Sequence, residues 1–179
     1  MNLVRLLLAS IGVVLFQWAF LQGLPLSQYG NPYIYIWVLM LLPQPISHQR
    51  QFLIAILLGS IMDSFEQSGG AHSLACLVLI LVKPSLENAL LGFRKPEEDE
   101  GLASLPLGAF LTTAGILVIL HHLVLFIMEN YSLQHLDTVL IRTLFSSLST
   151  LLLLVLLHAF TARRYARKYC LFRGSNPPW

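Results

Sequence analysis

Apolar residues along this chain fall into long even runs, separated at intervals by proline and glycine. Runs at 3–21, 105–128 and 138–160 are each long enough to cross about 30 Å of hydrocarbon as a helix rising roughly 1.5 Å per residue. Shorter apolar segments lie between them at 33–42, 52–65 and 71–82; by length alone they suit re-entrant or interfacial pieces as well as short spans. Pro25 and Gly30-Asn31-Pro32, then Pro43 and Pro45, then Gly69-Gly70, then Lys83-Pro84 separate the segments with helix-breaking signals. The pattern predicts an all-α integral membrane protein of about six transmembrane helices, the middle three short or tilted. After Pro84, residues 85–93 place Leu86, Leu90 and Phe93 at helical spacing with Glu87 and Asn88 opposite. That arrangement fits a short helix lying on the membrane surface, and equally a continuation of the fourth helix past a kink.

Composition agrees with the pattern. Of 179 residues, 56% are hydrophobic and 11% charged, whereas a soluble domain carries about a quarter charged residues. The reading is one membrane domain over 1–162 followed by a basic cytoplasmic tail over 163–179. The first run ends Trp18-Ala19-Phe20-Leu21-Gln22 without an A-x-A-like cleavage site, so it reads as a retained helix rather than a signal peptide. Cys76 and Cys170 offer neither a disulfide framework nor zinc-like spacing and are expected as free thiols.

Basic residues set the orientation, because they are retained on the cytoplasmic side. Arg5, Arg50, Lys83, Arg94, Lys95, Arg163, Arg164, Arg167, Lys168 and Arg173 fall at the N-terminus, in alternate loops or in the tail, while 22–32, 64–70 and 129–137 contain no lysine or arginine. Both termini are therefore expected in the cytoplasm. Trp18, Phe20, Tyr29, Tyr33, Tyr35 and Trp37 flank the first external loop, where amphipathic rings favour the membrane interface. The acidic stretch 97–100 reads as a solvated turn, and the tail arginines and lysines attract anionic headgroups.

Candidate chemistry gathers at one external edge. Asp63 ends the third helix after Gly59, Glu66 follows, and Gly69-Gly70 leads into His72 at the start of the fourth. Structurally, Asp63 suits an ion pair and the turn glycines Gly59, Gly69 and Gly70 suit positive φ or close packing; functionally, the same residues suit a ligand or partner site. Arg142 lies about one turn inside the last helix and needs a partner there. Asp63, Glu66, Glu129 and Asp137 are the candidates, Asp63 foremost. His121 and His122 are adjacent, point about 100° apart and cannot both hold one ion, so they read as hydrogen-bonded packing. Ser146, Ser147 and Ser149, like Gly108, Thr112 and Gly115, form small-residue faces of the kind that pack helix on helix. No HExxH, GxSxG, P-loop or dinucleotide fingerprint occurs, and no metal or cofactor is expected.

Gly59-x-x-x-Asp63, a short Ser/Gly loop and Gly70-x-His72 entering an apolar run resemble the family of the rod shape-determining protein MreD. Size, helix number and a basic tail agree over nearly the whole chain, although Glu66-Gln67 enlarges a turn that is usually small and apolar in that family. The resemblance implies a non-enzymatic inner-membrane subunit of the bacterial cell-elongation machinery, supporting rod shape and peptidoglycan synthesis. Its partner would be the bitopic protein MreC, with MreB filaments, the RodA glycosyltransferase and its transpeptidase reached indirectly, and no nucleic acid. The runner-up is a substrate-binding subunit of an energy-coupling-factor vitamin transporter, a similar type of helical bundle. Such a subunit needs a polar, aromatic-lined pocket, for which Tyr29, Tyr33, Trp37 and Tyr131 are available. An intramembrane hydrolase, a third reading, lacks a nucleophile and base pair.

Overall fold

The computed structural model describes residues 3–21, 30–42, 47–92, 101–130 and 135–173. Among these, every regular element is helical: α1 (Leu3–Phe16), continued by a π-helical turn (Gln17–Leu21), α2 (Ile36–Leu41), α3 (His48–Glu66), α4 (Ala71–Leu91), a 3-10 turn (Gly101–Ser104), α5 (Leu107–Glu129) and α6 (Leu136–Arg173). Among the described residues, three helices are long and apolar enough to cross a membrane, namely α4, α5 and the Leu136–Thr161 part of α6. They mark a multi-pass membrane protein. Helices α3 to α6 pack in sequence, each against the next. The acidic stretch 97–100, Pro25, Tyr29, Pro43, Pro45, Arg94, Lys95, Tyr131 and the side chains of the basic tail lie outside the described residues.

The polarity of the bundle is inverted relative to a soluble protein. Leu144, Leu148 and Leu152 on α6 are about two-thirds exposed, whereas His72, His121, His122 and Thr150 are fully buried. Apolar surface outward and hydrogen-bonded polar groups inward is the arrangement hydrocarbon demands, since a polar group facing lipid would have no partner.

The second apolar segment is the main departure from expectation. It is short, as expected, forming only the six-residue α2, but Tyr33 to Met40 are buried throughout. A segment apolar on every side has no face to offer water and belongs at the centre of the bundle. The non-helical stretch before it needs hydrogen bonds from elsewhere. The Gln17 amide donates to the Pro32 carbonyl (2.8 Å) and accepts from the Ile34 N–H (2.7 Å), and the Thr150 hydroxyl accepts from the Tyr33 N–H (2.8 Å). Tyr33, Tyr35 and Trp37, expected at the membrane interface, are thus interior, while Trp18 and Phe20 are exposed.

Residues 85–91 continue α4 rather than forming a separate surface helix, and Phe93 lies outside the described residues. Helix α4 runs through Pro84 to Leu91, and the side chains point opposite to the amphipathic reading: Glu87 is buried and Leu90 exposed. Lys83, counted in sequence as a loop charge, is also buried. Its Nζ donates to the carbonyls of Leu39 (3.1 Å), Met40 (3.4 Å) and Leu42 (2.7 Å), with Glu87 Oε1 at 3.9 Å. The lysine thereby closes the C-terminal end of α2, where carbonyls run out of intrahelical donors.

Candidate functional site

The α3–α4 turn carries the motif residues, and each has a distinct task. Gly59 is not a turn glycine; it lies inside α3, where an added Cβ would sit 2.4 Å from the Ser73 Cα. It is the point at which α3 and α4 touch backbone to backbone. Gly69 and Gly70 do make the turn, with φ of 62° and 99°, a region that favours glycine. Asp63 reaches across to the start of α4. Its Oδ1 accepts from the Ser68 hydroxyl (2.5 Å) and the His72 N–H (2.9 Å), and its Oδ2 from the Ser73 N–H (3.1 Å) and hydroxyl (2.6 Å). Those N–H groups belong to the first turn, where a carboxylate both replaces missing intrahelical acceptors and meets the positive end of the helix dipole.

Asp63 is therefore not the partner of Arg142. Arg142 donates to Glu129 Oε2 at 2.9 Å and lies 4.3 Å over the Phe126 ring. A carboxylate already saturated by four donors gains little from a distant guanidinium, and the end of α5 is the nearer neighbour along α6. Because both side chains of the pair are partly exposed, at 33% and 20%, the coupling measured by an Arg142→Leu and Glu129→Gln double-mutant cycle should be at most about 1 kcal/mol. The same cycle with Asp63→Asn in place of Glu129→Gln should be additive; thermal unfolding of the purified protein checks both.

Behind this rim a chain of polar groups runs inward. Tyr33 donates to Glu66 Oε2 at 2.8 Å, and His72 Nε2 faces the same oxygen at 3.4 Å. His72 Nδ1 meets the Tyr35 hydroxyl at 2.8 Å, which in turn meets His121 Nε2 at 2.8 Å. Glu66, His72 and Glu129 come together so that one ligand atom of each lies within 4.8 Å of the others. The four site residues expected from sequence therefore share one end of the bundle, but as an Asp63 cap, a Glu66–His72–Glu129 group and an Arg142–Glu129 pair. Tyr35 and Gln17 were missed, and Tyr33 was read only as a pocket-lining aromatic, although a glutamine within an apolar run and a Tyr-x-Tyr repeat are both visible signals.

The serines of α6 gain no hydrolase chemistry. Ser147 Oγ lies 3.4 Å from His122 Nδ1, but that nitrogen is 2.8 Å from the Val118 carbonyl and must carry a proton to bond it. A nitrogen that is already a donor cannot accept a proton from serine. Ser146 and Ser147 are buried as helix-packing residues, whereas Gly108 and Thr112 are exposed rather than packed.

Comparison of the chain with family models, with curated proteins and with solved structures finds no match in any of the three.

Proposed function

We propose that this chain is a non-enzymatic scaffold subunit of the bacterial cell-elongation machinery, resembling MreD, that crosses the inner membrane six times with both termini in the cytoplasm. Its role is to hold an MreC-like bitopic partner and, through it, MreB filaments, RodA and the associated transpeptidase, so that peptidoglycan synthesis follows the long axis of the cell. The supporting observation is the hairpin of α3 and α4. Gly59, Asp63, Gly70 and His72, the residues that carry the resemblance, form one interlocked unit in which a helix contact, a helix cap and a turn depend on each other.

Depletion in a rod-shaped host should give round cells, and the tagged protein should recover a bitopic MreC-like partner from solubilised membranes. Single cysteines in 64–70 and 129–137 should react with an impermeant reagent from outside, and one at Glu98 should not. Unchanged cell shape together with tight vitamin binding by the purified protein would instead favour the transporter subunit; labelling of Glu98 in intact cells would overturn the orientation.

A further inference from the structure

We infer that Glu66, His72 and Glu129 form a binding site for a divalent transition-metal ion at the α3–α4 turn, a site that clamps α3, α4 and α5 together. The donors come from three separate helices, so no spacing in the sequence announces them.

Distance makes the first argument. His72 Nε2 and Glu66 Oε2 are 3.4 Å apart, too long for a good charge-assisted hydrogen bond of about 2.7–2.9 Å. It equals the edge of a tetrahedron whose ligands stand roughly 2.1 Å from a central ion, the usual reach of imidazole nitrogen and carboxylate oxygen to zinc. Glu129 offers an oxygen within 4.8 Å of both other ligand atoms, near enough to supply the third vertex. The fourth vertex is left to water or a ligand.

The supporting contacts make the second argument. Metal-binding histidines hold their other nitrogen in a hydrogen bond, and metal-binding carboxylates are themselves hydrogen-bonded. All three residues are so held: His72 Nδ1 by Tyr35, Glu66 by Tyr33 and Glu129 by Arg142. The Tyr35 hydroxyl has one proton to share between two imidazoles, His72 and His121. When that proton goes to His121, His72 Nδ1 donates to Tyr35 and the His72 Nε2 lone pair points at the two carboxylates. A cation turns that repulsion into coordination. His72 is wholly buried, so its ring is fixed in place before any ion arrives.

A nitrogen donor with two carboxylates suits zinc, cobalt(II) or nickel(II) better than calcium or magnesium, which prefer all-oxygen shells. The test uses the full chain carrying a tag without histidines, stripped with chelator in detergent and titrated with Zn²⁺ and separately with Co²⁺. The expected result is saturable binding of one ion per chain and a rise in melting temperature that chelator reverses. Glu66→Gln and Glu129→Gln should each weaken binding at least tenfold and abolish the rise, each variant being compared with its own metal-free melting temperature. Tyr33→Phe should weaken it about tenfold. His72→Ala is the less useful variant because the buried ring also supports folding. Absence of saturable binding, or an affinity equal to the parent's in both glutamine variants, would overturn the proposal and assign any bound metal to exposed groups such as His48 and His135.

Discussion

Lys83→Met is expected to remove about 3–5 kcal/mol of stability, the loss typical of breaking a buried ion pair from one side. Its ammonium group has three protons, and three carbonyls at the end of α2 receive them. Methionine keeps the length and bulk of the side chain, so the loss comes from polarity alone. The carbonyls lose the ammonium group, Leu39 keeping only the 3.4 Å contact from the Leu42 N–H, and Glu87, 3% exposed and one turn further along α4, is left as a buried carboxylate without its cation. Removing both charges, Lys83→Met with Glu87→Leu, should recover most of the loss, because well-packed apolar residues often replace a buried pair at little cost. Denaturant or thermal unfolding in nanodiscs decides the matter. A midpoint unchanged by Lys83→Met, or a double variant no better than the single, would refute this account of the α2 terminus.

Gly59 carries the second large effect. Its missing side chain leaves room for the α4 backbone: a Cβ would meet the Ser73 Cα at 2.4 Å, the Ser73 nitrogen at 2.7 Å and the His72 carbonyl carbon at 3.0 Å. Carbon atoms rest at about 3.5–4.0 Å, and backbone inside a helix cannot swing aside as a side chain would. Gly59→Ala should therefore cost about 1–3 kcal/mol by overpacking, and Gly59→Val more. Separation of the helices would also stretch the Asp63 bonds to His72 and Ser73, so amide exchange at these two positions should quicken. Gly108 supplies the contrast, since nothing lies within 4 Å of its added Cβ. There alanine should be neutral or should stabilise by up to about 1 kcal/mol through helix propensity. Equal responses at the two glycines would show that the α3–α4 contact is looser than described.

Long apolar runs marked α5 and α6 well, because length in hydrocarbon is a one-dimensional property that a sequence displays directly, whereas α4, expected short, proved long enough to cross because it continues past Pro84. The α3–α4 hairpin was legible for a similar reason: its Gly, Ser and Asp residues act within a few positions of one another. Lys83 was misread since a lysine beside a proline looks like a loop, and only the fold reveals three carbonyls waiting for it. The Arg142 assignment failed on helix adjacency. Asp63 had the stronger need for a partner, yet its own neighbours Ser68 and Ser73 met that need locally. Glu66 and His72 were legible together at one edge, but Glu129 joins them only when three helices are laid side by side.

The buried segment at 30–42 also implies an order of biogenesis. Gln17 is made before the backbone it holds, but Tyr33 must wait 117 residues for the Thr150 hydroxyl. At ordinary rates of about 5–20 residues per second, that interval is on the order of ten seconds. Throughout it the nascent chain holds a segment that is apolar on every side and whose N–H at Tyr33 has no acceptor within the bundle. Docking of this segment is therefore completed only once α6 has been made, and α6 locks the second segment in place.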